Sequence, residues 1–135
     1  MKVFFGLVFT TLVNFSCGLV GFYTSSIFLI SLIPQHQNAI STYDFLWSFL
    51  LKFMVILILT WIMYRVMSML DTPKKRILFI FLLGSSFSIY NEVDIFWSYN
   101  SLTWSLVMIT GESINWLITG YLLSKVVKPK HLGAF

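Results

Sequence analysis

Four long apolar runs, residues 3–33, 45–64, 77–99 and 102–124, take up most of the chain, with short links between them. An α-helix rises about 1.5 Å per residue, so each run is long enough to cross a hydrocarbon core of ~30 Å. A water-soluble fold would have to hide all four runs from solvent at once. Only 10% of the residues are charged and 58% are hydrophobic, with a mean hydropathy of +0.85. Soluble domains carry about 25% charged residues, so the solvent this composition suits is lipid. The expected fold class is all-α: an integral membrane bundle of four transmembrane helices, filling residues 1–135 as a single transmembrane domain.

Local signals set the helix ends. Pro34 closes the first run. Ser41-x-x-Asp44 has the spacing of a capping box ahead of the second. Asp71-Thr72-Pro73 precedes the third, with proline suited to a first helical turn. Asn100-Ser101 caps the fourth, and Pro129 lies beyond its end. The link between the third and fourth runs is so short that these two helices must be antiparallel neighbours. The first run exceeds what a straight span needs, so it tilts, kinks near Gly18 and Gly21, or projects outward.

Charge orients the bundle. Lys2 precedes the first run, Arg65, Lys74, Lys75 and Arg76 surround the second link, and Lys125, Lys128 and Lys130 follow the fourth run. In an up-down bundle of four spans all of these fall on one side, and Lys52 is the exception. The positive-inside rule then places both termini and the middle link in the cytoplasm, with the protein in the plasma or inner membrane. A cleaved signal peptide is the competing reading, with Lys2 as its basic region and Val3–Val13 as its apolar core. However, Asn14 stands where a lipoprotein cleavage box takes an aliphatic residue, and the chain stays apolar after Cys17. An uncleaved first span is therefore expected. Tyr90, Trp97, Tyr99 and Trp104, with Trp47, form an aromatic belt at the outer interface.

Several function classes drop out. The lone Cys17 makes no internal disulfide, and His36 and His131 are far apart, so no metal site is expected. There is no phosphate-binding glycine loop, no nucleophile elbow and no interleaving of aromatics with basic residues. We expect no cofactor, no nucleic-acid partner and no catalytic residue.

What remains is a set of polar residues inside the spans. Counted along the helices, Glu92 and Lys52 lie roughly 10 Å below the outer surface and Glu112 roughly 15 Å, near the midplane, with Asn14 at a similar level. Each span carries one polar or small edge. These are Thr10, Asn14, Cys17, Gly21 and Thr24; then Asp44, Ser48, Lys52, Ile56 and Thr60. The third has Gly84, Ser88 and Glu92 with Ser85 and Asn91 alongside; the fourth has Ser101, Ser105, Met108, Glu112, Asn115 and Thr119, opposite a face of Leu, Val, Ile and Trp. Turned inward, the four edges make a polar seam.

Two readings follow. In one the seam is structural: small and hydroxyl residues let helices approach, Lys52 neutralises Glu92, and Asn115 satisfies Glu112. In the other it lines a cavity for an ion, a proton or a small polar solute. An ionisable residue at a helix centre costs about 2.5–3.5 kcal/mol to insert, which makes Glu112 the leading candidate. Asn115, Glu92, Lys52 and Asn14 accompany it, and Asn91, Asp94 and Ser88 are weaker candidates. Asp94 is shallow enough to reach headgroup water. Lys74-Lys75-Arg76 reads as a topology signal, with contact to anionic lipid as a secondary role. The expectation is a transporter- or channel-like protein, with a second copy of the chain as a candidate partner in a homodimer. The alternative is a membrane-embedded interaction, accessory or immunity-type protein docking on a membrane partner. A lipid-modifying enzyme is disfavoured, because no His or Cys joins Asn91, Glu92 and Asp94.

Overall fold

The computed structural model describes residues 2–28, 42–96 and 102–128, the side chains at 2, 42, 44 and 92–96 excepted. The described residues form four helices: α1 (Lys2–Phe28), α2 (Thr42–Arg65), α3 (Pro73–Phe96) and α4 (Leu102–Val126). Residues 29–33 and 97–99, the outer ends of the first and third apolar runs, lie outside the described residues. Three helices, α1, α2 and α4, are long and apolar enough to cross a membrane. The protein is therefore an all-helical bundle of membrane character.

The α2–α3 link shows how local chemistry fixes an end. After Arg65 the chain tightens into turns, with Met69 N–H donating to Val66 O and Leu70 N–H to Met67 O. Asp71 Oδ1 then accepts from Thr72 N–H at 2.9 Å, and Thr72 Oγ1 accepts from Lys75 N–H at 3.4 Å. Thr72 is thus the N-cap of α3, with Pro73 in the first turn where no amide donor is needed.

α4 is the centre of the bundle. It packs most extensively on α3 and next on α1, while α2 packs mainly on α1 and only slightly on α3. Along α3 and α4 the contacts run in opposite order. Arg76, at the start of α3, reaches Ser124 and Val127 at the end of α4, and Ser88 meets Trp116. The same holds for α1 and α4, where Asn14 bonds Thr119 and Phe22 stacks edge-on against Trp104. Two glycines permit the α3–α4 approach. A Cβ on Gly120 would stand 2.9 Å from Ile77 O, and one on Gly84 would overlap the Trp116 ring.

This central position corrects the expected face of α4. Trp116, assigned by periodicity to an outward apolar face, and Trp104, assigned to the outer aromatic belt, are buried, as are Ser105, Asn115 and Thr119. A helix packed on two sides buries more than one face: Asn115, Thr119 and Trp104 meet α1, and Trp116 meets α3.

The apolar core gathers towards the end of the bundle that carries the basic residues: Leu7, Ile56, Leu59, Met63, Ile80 and Leu123 are all buried. Thr10 and Thr11 are buried there too, their hydroxyls donating to Gly6 O and Leu7 O one turn back. That internal bond satisfies the hydroxyl and lets it sit among apolar neighbours. The proposed polar edges do not stay inward along their whole length. Gly21, Thr24 and Ser48 are exposed, so the seam is closed near the basic end and opens past Asn14.

Candidate functional site

The seam converges on Asn14, Lys52 and Glu112, one residue from each of three helices. Asn14 has no exposed surface. Its Nδ2 donates to Thr119 Oγ1 at 2.7 Å, and its Oδ1 accepts from Lys52 Nζ at 3.2 Å. Thr119 Oγ1 in turn donates to Asn115 O at 2.9 Å, and Asn115 Nδ2 donates to Asn14 O at 2.9 Å. This closed ring ties α1 to α4 at mid-length. In lipid, where water is not available as a substitute partner, such satisfaction is what lets polar side chains sit between helices.

Lys52 extends from α2 across α1 to α4. Its Nζ lies 3.3 Å from Glu112 Oε1, and the side chains of the two residues are each 28% exposed. The space for this reach exists because residue 18 is glycine. A Cβ there would stand 3.3 Å from Lys52 Nζ, 3.5 Å from Asn115 Nδ2 and 3.6 Å from Glu112 Oε1. Asn115 Oδ1 is buried with no hydrogen-bond partner among the described residues.

The partner of Glu112 differs from the one expected. Lys52 meets Glu112, and Asn115, expected to satisfy that carboxylate, donates to the α1 backbone. The length of the lysine side chain spans the difference in level between residues 52 and 112, about one helical turn. The side chains of Glu92 and Asp94 lie outside the described residues; their backbone belongs to the last turns of α3.

Beside the ion pair is a cleft of about 440 Å3 between α2 and α3, with α4 as its floor. Lys52, Glu112, Ser88 and Asn91 supply its polar groups, and Leu51, Val55, Phe87, Met108 and Trp116 its apolar ones. It exists because α2 and α3 scarcely touch. Trp116 Nε1 donates to Ser88 Oγ at 3.1 Å, and Ser88 Oγ donates to Gly84 O at 3.2 Å, so this wall is fixed by hydrogen bonds. Asn91 is exposed at the cleft. Glu112 also borders a smaller space of about 40 Å3 on the α1 side, where Cys17, Gly18 and Gly21 lie.

Of the sequence candidates, the structure therefore brings Glu112, Lys52, Asn14 and Asn115 into one network and places Ser88 and Asn91 on the adjoining cleft. Sequence reasoning missed Trp116 as a wall of that cleft and Arg76 as a buried group. Arg76 Nη1 donates to Ser124 O at 3.2 Å and Val127 O at 2.7 Å, and the residue is only 4% exposed. It satisfies carbonyls that the end of α4 leaves without intrahelical donors. Its position next to Lys74 and Lys75 gave no signal of this. Among the described residues, no group of His, Cys, Asp and Glu is arranged to hold a metal ion.

Comparison with known proteins yields no match: no family model fits the chain, and no curated protein or solved structure is significantly similar to it. The site must be read from its own geometry.

Proposed function

We propose that the chain is a four-span, up-down bundle in the cell membrane with both termini cytoplasmic, and that it acts as a small transporter- or channel-like protein. Its working groups are Glu112 and Lys52, supported by Asn14 and Asn115. The observation that carries this reading is the exposure of the ion pair to a 440 Å3 cleft. An ion pair that only tied helices together would gain by being sealed, because charge left open to a lipid-facing gap is poorly solvated. Here the two charges face a space of the size that small ligands occupy, roughly 300–1,000 Å3. Four spans enclose little by themselves, so a homodimer is the natural working unit. The test is flux of protons or small polar solutes in proteoliposomes. Glu112→Gln abolishes it; undiminished flux in that variant would remove Glu112 from the role.

One observation favours a second reading, an accessory or immunity-type protein that docks on another membrane protein. On the α1–α4 side, a Cβ on Gly21 or Gly111 would meet nothing within 4 Å, and Ser25, Thr103 and Thr110 lie in an open depression nearby. Small residues of this kind allow close helix–helix contact in membranes. Co-purification of a stoichiometric partner, with function that survives Glu112→Gln, would select it.

A further inference from the structure

The cleft has an unusual charge character. Among the described residues it presents one cation and one anion, 3.3 Å apart where the α2 wall meets the α4 floor, and is otherwise mostly apolar. A simple cation would be repelled by Lys52 and a simple anion by Glu112. A neutral apolar solute would leave both charges facing it unused. A molecule with both an ammonium and an anionic group exchanges the internal pair for two new pairs without changing the net charge. Burial of charge is tolerated when each ion keeps a partner.

From this match, and resting on the transport reading above, we propose that the cleft binds a small zwitterion with an apolar body. The ligand's ammonium pairs with Glu112 and its anionic group with Lys52. Its apolar part lies against Phe87, Trp116 and Leu51. Asn14 is the positioning residue: its Oδ1 accepts from Lys52 Nζ at 3.2 Å and holds the ammonium near the cleft when Glu112 turns to the ligand. Trp116, fixed through Ser88, gives the apolar part a rigid surface.

The probe is radiolabelled leucine, measured at equilibrium on the purified full chain in phosphatidylcholine nanodiscs. Leucinamide, which has only the cation, and 4-methylpentanoate, which has only the anion, compete about tenfold or more weakly, because each gives up one hydrogen bond to a charged group. Glu112→Gln shifts the preference towards 4-methylpentanoate, and Lys52→Met shifts it towards leucinamide. The double variant Lys52→Met/Glu112→Gln leaves no lone charge to compromise folding, and it loses discrimination among the three. Added phosphatidylethanolamine separates the sources of the zwitterion: competition with leucine assigns a lipid headgroup, and no effect assigns a free solute. Equal binding of the three compounds, or none, overturns the ligand class. Labelling of Met108→Cys by an aqueous thiol reagent, in a Cys17→Ser background, separates the two failures. Labelling without zwitterion binding overturns this inference and leaves a water-accessible cleft; no labelling overturns both.

Discussion

Gly84→Ala is the substitution for which the structure gives the clearest magnitude. In an isolated helix the change is favourable by up to about 1 kcal/mol, since alanine has the higher helix propensity. Here the added methyl would overlap Cγ and Cδ2 of Trp116 and stand 2.6 Å from Cε3. The indole cannot swing away cheaply, because its Nε1 is bonded to Ser88 Oγ. Forced overpacking costs about 1–3 kcal/mol. Losing the indole hydrogen bond adds about 0.6 kcal/mol, the average for such bonds in a membrane protein. Set against the propensity gain, the net loss is about 0.6–2.6 kcal/mol, or about 3- to 80-fold in the folding equilibrium. The assay is titration with a denaturing detergent in mixed micelles, followed by circular dichroism. Gly111→Ala is the matched control, because a Cβ there meets nothing within 4 Å; it should be neutral or stabilising. Trp116→Leu in the Gly84→Ala background should recover part of the loss. If Gly84→Ala and Gly111→Ala agree within about 0.5 kcal/mol, the α3–α4 packing described here is wrong.

Arg76→Lys keeps the positive charge but gives up the two-carbonyl clamp on Ser124 and Val127, and it should cost about 1.5–3 kcal/mol in the same assay. Lys74→Ala, at an exposed position, should stay within about 0.5 kcal/mol; equal effects would return Arg76 to a purely topological role. In the α2–α3 link, a hydrogen bond from Lys75 Nζ at 2.8 Å holds the Asp71 carboxyl below its ordinary value of 3.8. The folded state therefore binds fewer protons there than the unfolded one. The contribution is present above pH 3.8 and is lost as pH falls through the lowered folded value. Asp71→Asn should flatten that acid slope of the thermal midpoint slightly, the pair being exposed; an unchanged slope would show that the bond does not persist in solution.

The helices were legible in the sequence because apolar length and flanking charge are one-dimensional signals. Thr72 and Pro73 mark the start of α3 in the sequence as they do in the structure. The seam was legible in part: the spacing of Asn14, Glu112, Asn115 and Thr119 picked out residues that do meet. Partner choice was not. Spacing left Glu112 to Asn115, whereas its contact with Lys52 depends on how each helix is rotated and on how far a lysine reaches across a glycine at position 18. Periodicity assumes one inward face per helix. It therefore placed Trp116 with the lipid-facing residues of a helix that is enclosed on two sides. Adjacency likewise suggested a single role for Lys74, Lys75 and Arg76 as a basic cluster, although Lys74 and Lys75 are exposed and Arg76 is buried in the bundle.

The central place of α4 bears on how the protein is made. Asn14 and its partner Thr119 are 105 residues apart in sequence. At a synthesis rate of about 5–20 residues per second, Asn14 waits roughly 5–20 s in the membrane before its partner exists. Over that interval Lys52 also lacks Glu112, and the small face of α3 at Gly84 lacks Trp116. The first three helices therefore form a loosely associated set whose polar groups are open to whatever else the membrane offers. Arrival of the last helix meets these vacancies together, so assembly is concentrated in one late step, and a chain stalled before α4 would hold Lys52 without its Glu112 partner.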